Sequence, residues 1–242
     1  MLHKTNHYYD KLTSFMSEFQ KGTPLLVYHQ LGFPRLRSKR KGLVISPRLF
    51  ANQLAELQAA GFTSINLNPV TEVRSGIGIT FDDGYTSVFN HAMEPLHAHG
   101  FQAIQFLVSG FLGKTSAWDG EPEPLMDKAQ IKDWLQAGHT IGAHTVNHVH
   151  LTQVSEIVAR EEIQASRKKL EDEFGVTIQH FCYPYGDWNR KTADLVAEAG
   201  YLTASTTEFG VNITGTDSFA LKRIHAFVPL RSPAGLYYFL RR

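Results

Sequence analysis

The chain has 242 residues, 43% of them hydrophobic and 19% charged, with a formal net charge of +1. These are globular values with enough apolar content for a sizeable core, and the near-neutral balance excludes a general electrostatic affinity for nucleic acid or anionic membrane. A single cysteine, Cys182, rules out an intramolecular disulfide and fits a reducing compartment.

Residues 1–23 read as an N-terminal helical extension and 24–242 as one domain. The first ten residues hold no apolar stretch that could serve as a signal h-region, and nothing later approaches the length of a membrane span. A cytoplasmic location is therefore expected. Strands are predicted at 25–29, 64–67, 77–81, 103–108, 140–143, 179–183, 202–205 and 221–227. Helices are predicted at 47–60, 87–99, 128–137, 154–174, 190–199 and 234–240. Five of them end at a glycine (Gly61, Gly100, Gly138, Gly175, Gly200), as left-handed C-terminal capping predicts. Strand–helix alternation without repeat or linker argues one parallel α/β domain. Chemically active residues fall at the ends of several strands, which favours a distorted (β/α) barrel of seven or eight strands over an open sheet.

Two segments carry the chemistry. Thr80-Phe81-Asp82-Asp83-Gly84 puts adjacent carboxylates at the end of an apolar run, and His144-Thr145-Val146-Asn147-His148 puts two imidazoles after another. A hydrolytic metal site needs imidazole and carboxylate ligands plus one carboxylate left over as base, and this set supplies both. Taken singly, Asp-Asp-Gly is also a turn or a helix cap, and the histidines also suit a polar surface loop with His139 and His150. His144 and His148, at the spacing of one helical turn, could meet one ion if the chain winds into a turn after its strand.

With these residues in view, the chain resembles the polysaccharide deacetylases, carbohydrate esterase family 4, from about Thr80 to Phe227. Thr80–Gly84 matches the family's Thr-Phe-Asp-Asp-Gly, His144–His148 its His-Ser/Thr-x-x-His, and Phe181-Cys182-Tyr183-Pro184-Tyr185-Gly186 the Phe-x-Tyr-Pro-Tyr-Gly variant of its third motif. The runs Pro95 to Val108 and Ala137 to Gly142 look like its framework. The resemblance implies Asp82 as general base, Asp83, His144 and His148 as metal ligands, and the Tyr185 backbone N–H as an oxyanion donor. It implies a divalent cofactor, zinc first, with cobalt, nickel, manganese or iron also suited to these ligands.

There are two departures. Many members carry an arginine where Cys182 stands, and that arginine holds the base; Arg223 is the candidate substitute, since a guanidinium clamps a carboxylate with paired hydrogen bonds. A barrel-rim salt bridge is its alternative role, and Cys182 itself reads as a buried packing residue. The family's catalytic histidine sits late in the chain. Here His225 stands in the last predicted strand, whereas His29 ends the first, as Tyr-His does in relatives that look rearranged. His29 is preferred as the acid, on that position and on the match of histidine to proton transfer near neutrality. Trp118 and Trp188 could stack on sugar rings or only cover a core edge, and the basic cluster Arg35, Arg37, Lys39, Arg40 and Lys41 reads as a solvated loop or an anion contact.

The expected reaction is N-deacetylation of an amino sugar or its oligo- or polysaccharide. The expected partner is an N-acetylated sugar, without nucleic acid. Hydrolysis of a formamide or cyclic amide, a catalytically silent sugar-binding relative, and a two-histidine, one-carboxylate iron oxygenase are the competing readings.

Overall fold

The structure, a computed structural model, describes residues 12, 16–33, 43–65, 67, 76–118 and 120–226. A short helix α1 (Met16–Phe19) leads to β1 (Leu25–Tyr28), β2 (Gln30–Leu31), β3 (Val44–Ile45), α2 (Pro47–Ala59) and β4 (Thr63–Ser64). Then come β5 (Gly76–Phe81), α3 (Thr86–His99), β6 (Ile104–Leu107), α4 (Lys128–Gln136), β7 (Thr140–Ala143) and α5 (Glu156–Phe174). The chain continues through β8 (His180–Cys182), a single 3-10 turn (Pro184–Gly186), α6 (Arg190–Glu198), β9 (Thr203–Phe209) and β10 (Leu221–His225).

Seven strands close a parallel ring in the order β1–β5–β6–β7–β8–β9–β10, with β10 pairing back onto β1. The expected barrel is therefore seven-stranded. β4 pairs only with the start of β5, at Thr63–Gly76 and Ser64–Ile77, leaving the rest of that edge to β1. Leu25, Ile104, Phe106, Cys182 and Leu221 form a small apolar cluster that fills the barrel. A much larger cluster, including Leu26, Tyr28, Phe50, Phe81 and Trp134, seals the strands against the helices. Strands buried on both faces explain why they read as apolar runs in the sequence. Gly142 shows how tight the interior is: a Cβ there would lie 2.5 Å from the Phe106 ring.

Local chemistry sets the helix starts. Ser46 and Ser155 cap α2 and α5, while Asp127 with Gln130 and Asn189 with Thr192 form capping boxes on α4 and α6. Helix α3 starts at Tyr85 without a side-chain cap, so neither Asp82 nor Asp83 spends its carboxylate on one. Gly100 and Gly175 take the left-handed C-terminal position.

The sequence reading missed the β2–β3 pair, whose strands are two residues each. The strand expected at 64–67 lies at Thr63–Ser64, and the one at 202–205 runs on to Phe209. The helix at 234–240, most of the N-terminal extension and the basic cluster at 35–41 lie outside the described residues. No helix among the described residues is long and apolar enough to cross a membrane.

Candidate metal and catalytic centre

Asp82 and Asp83 follow β5 directly. Asp82 continues the ladder, its N–H donating to the Tyr28 carbonyl at 3.0 Å. Asp83 then takes φ 74°, a left-handed conformation that costs a non-glycine residue energy and that clusters at functional sites. This switch lets neighbouring carboxylates, which an extended strand would send to opposite faces, enter one pocket.

Inside the barrel, Arg223 of β10 grips Asp82. Its two terminal nitrogens donate to the two carboxylate oxygens at 2.7 Å each. The remaining guanidinium donors reach the Thr206 carbonyl (2.7 Å), the Thr80 hydroxyl (3.1 Å) and the Cys182 sulfur (3.1 Å). Arg223 is fully buried. Burial alone would push the Asp82 carboxyl up; the guanidinium outweighs it by charge and hydrogen bonding and holds the group at about 2. The structure thus brings Arg223 and Asp82 together, with both carboxylate oxygens paired. Burial raises the Cys182 thiol, keeping it a neutral packing group.

Asp83 turns toward the histidines, on the same side as His144. Its Oδ1 lies 3.3 Å from His144 Nε2 and 3.2 Å from His148 Nε2. Burial pushes the Asp83 carboxyl up, but the two imidazoles outweigh it and hold it well below the usual range. His144 Nδ1 meets the Cys182 carbonyl at 2.7 Å, fixing the ring with Nε2 toward Asp83. Two imidazole nitrogens and a carboxylate oxygen, all buried and within 4.8 Å of one another, make a donor set that fits a zinc-class divalent ion. A second grouping, Asp82, His144 and Cys182, is as compact, but it does not fit a cation. Both Asp82 oxygens and the thiol sulfur already receive N–H groups of the Arg223 guanidinium.

The histidine segment winds into a turn after β7, but not a helical one. Thr145 and His148 take φ values of 64° and 59°, and the loop folds over a buried carboxylate from α5. Glu162 accepts the N–H groups of Val146 (2.8 Å) and Asn147 (2.9 Å) and the Asn147 side-chain amide (2.6 Å). The Thr145 hydroxyl accepts the His148 N–H at 2.9 Å. Glu162 was not found in the sequence, where it is one more charge on a charged helix.

Tyr185 sits at the tip of the 3-10 turn with φ 60° and 42% of its surface exposed. Its ring stacks on His150 at 3.8 Å and meets His148 edge-on at 4.5 Å. Asp187 anchors this corner, accepting from Thr152 N and Oγ1 and lying 3.5 Å from His150 Nδ1. His29 follows β1, its Nε2 3.9 Å from Asp82 Oδ2. His225 also ends its strand, so strand position alone does not separate the two. Trp188 donates to Glu208 and stacks against Tyr183 at 6.0 Å. Trp118, a candidate for sugar stacking or for covering a core edge, is buried and lies flat against His148 at 4.3 Å.

A sequence model described as polysaccharide deacetylase matches residues 70–204. The protein YxkH of Bacillus subtilis is 24% identical over 209 residues, covering 83% of this chain and 70% of that one. A chitooligosaccharide deacetylase of Azorhizobium caulinodans is 30% identical over 133 residues, 54% of this chain and 58% of that protein. This chain therefore spans little more than half of the Azorhizobium protein. Among solved structures, the Streptococcus pyogenes deacetylase PplD superposes with a TM-score of 0.76 at 24% identity, over 90% of this chain and 97% of that one. The fold and the matched segment, which holds both aspartates, both histidines and the Tyr-Pro-Tyr-Gly turn, show that the chain belongs to the polysaccharide deacetylase family.

Proposed function

We propose that the protein is a metal-dependent hydrolase that removes N-acetyl groups from an amino sugar or its oligomers. The observation that carries this is the division of labour between adjacent aspartates: Asp82 clamped by Arg223, Asp83 turned toward two imidazoles. A binding module has no use for a spare ionised carboxylate beside a cation site. The arginine missing at position 182, the feature that favoured a silent relative, is matched by a guanidinium from β10.

Asp83, His144 and His148 would hold the ion. When bound, a divalent cation supplies Lewis acidity toward the amide carbonyl and acidifies the water that attacks it. The chain's own groups do the rest. Asp82, kept ionised and oriented by Arg223, accepts the proton from the attacking water. The Tyr185 N–H donates to the oxygen that gains charge, and the left-handed turn fixes its direction. His29, with its side chain 16% exposed and so within reach of solvent protons, delivers a proton to the departing nitrogen. Acetate and a free amine leave. The matched chitooligosaccharide deacetylase supports an N-acetylated sugar as substrate.

The test is acetate release from a panel of N-acetylated monosaccharides, oligomers and nucleotide sugars, by zinc- or cobalt-loaded wild type and Asp82→Asn. Release lost in the variant with metal retained supports the reading. No release from any member by wild type carrying stoichiometric metal overturns it in favour of another amide.

A further inference from the structure

Trp118 lies in the segment between β6 and α4. That segment is stitched down by antiparallel bridges Thr115–Pro124 and Tyr85–Leu125, and Met126 N donates to the Gly84 carbonyl at 2.8 Å. It is therefore tied to the backbone immediately after Asp83. From this frame the indole Nε1 donates to Asp83 Oδ2 at 3.3 Å. The same ring lies nearly parallel to His148, 17° between planes, and is backed edge-on by Phe111 at 5.5 Å. One side chain thus touches two of the three candidate ligands by two different chemistries.

A carboxylate can serve a cation with one oxygen or both. Here Oδ1 faces both imidazoles while Oδ2 is engaged by the indole. The N–H is the only polar atom of the indole, and a buried tryptophan gains by pairing it. The ring face meanwhile restricts rotation of the His148 imidazole about its own bond. This contact takes the place of sugar stacking, one of the two roles the sequence leaves open, since only 7% of Trp118 is exposed.

We infer that Trp118 is the positioning residue of the cation site: its N–H presents Asp83 through Oδ1 alone, and its face sets the plane of His148. The inference rests on the proposed cation site. Outer groups that orient metal ligands change affinity by about 10–100-fold, so the effect is measurable without turnover.

The experiment is cobalt binding to the full chain, read by visible absorption and by competition with a chelator, for wild type, Trp118→Phe and Trp118→Leu. Trp118→Phe keeps a stacking ring and loses the N–H. It is expected to bind cobalt at least about 10-fold more weakly, with a shifted absorption envelope as the second carboxylate oxygen is released. Trp118→Leu, which loses both contacts, is expected to be weaker still. Wild-type affinity and spectrum in Trp118→Phe would overturn the inference while leaving the cation site standing. Failure of the wild type itself to bind cobalt would overturn the cation site, and this inference with it. Should the variants not fold, 5-fluorotryptophan labelling of the wild type gives one fluorine resonance for each of its 3 tryptophans. One resonance is expected to move and saturate at one equivalent of zinc, and a spectrum unmoved by zinc overturns the inference.

Discussion

Arg223 and Asp82 meet through two parallel hydrogen bonds of 2.7 Å inside a closed barrel, although 141 residues separate them in the chain. In the proposed mechanism this pair orients the base, and it does so from the last described strand. Lysine at 223 would keep the charge and lose the paired geometry. Arg223→Lys is therefore expected to keep metal and lower kcat by about 10²-fold, within the range general-base catalysis supplies. Arg223→Met strands a buried carboxylate and is expected to cost about 3–5 kcal/mol of stability. Steady-state kinetics with urea unfolding checks both. Unchanged kcat in Arg223→Lys would reduce the clamp to a structural tie.

Cys182 gives the converse prediction. Its backbone carbonyl holds His144, whereas its thiol packs in the barrel, accepting from Arg223 at 3.1 Å and donating weakly to Asp82 Oδ2 at 3.6 Å. Cys182→Ala is expected to retain metal stoichiometry and turnover within about 3-fold and to lose about 1–2 kcal/mol, the cost of a small cavity and these weak contacts. A loss of turnover beyond 10-fold at full metal content would assign the thiol a part in the chemistry.

Glu162 carries a heavier share. Three N–H groups of the histidine loop end on its carboxylate, and each hydrogen bond to a charged group contributes about 1.5–3 kcal/mol. Glu162→Ala is expected to free the loop, displace His148 and weaken zinc binding by about 10-fold or more. Calorimetric titration with zinc reads this directly. Wild-type affinity would mean that Thr145 alone holds the loop.

His29 and His225 are separable by leaving group. An amine must be protonated to depart, whereas a phenolate leaves unaided. His29→Asn is expected to lower hydrolysis of an N-acetyl sugar by about 10²-fold or more and to leave hydrolysis of an aryl acetate nearly unchanged. His225→Asn is expected to spare both. Reversal of that pattern would move the acid to His225.

The candidate ligands and candidate base were legible because their residue types are fixed by chemistry and their motifs lie at strand ends, where apolar runs stop. The loop geometry was not. Thr145 and His148 adopt left-handed backbone without being glycine, so the sequence carries no mark of which turn the segment makes. Glu162 and Trp118 act across the fold, and nothing near them in the chain distinguishes them from a surface charge or a rim aromatic. The β2–β3 pair, two residues per strand, is shorter than any periodicity can register.

His180, on β8, ties the buried core to solution pH. It is 3% exposed, with Nδ1 2.9 Å from the Thr203 hydroxyl, and burial lowers its pKa from 6.5 to about 4. Between those two values the unfolded chain takes up a proton that the folded chain refuses. Stability is thus full above about pH 6.5 and declines as pH falls toward 4, by on the order of 3 kcal/mol from this group. Burial lowers His139 to about 4 as well, adding in the same direction. Thermal melts from about pH 7.5 to 4.5 are expected to show Tm falling below about 6.5, and falling less steeply in His180→Asn. Equal slopes in the two proteins would mean that the folded barrel accommodates a charged His180, by water entry or by a partner that moves to meet it.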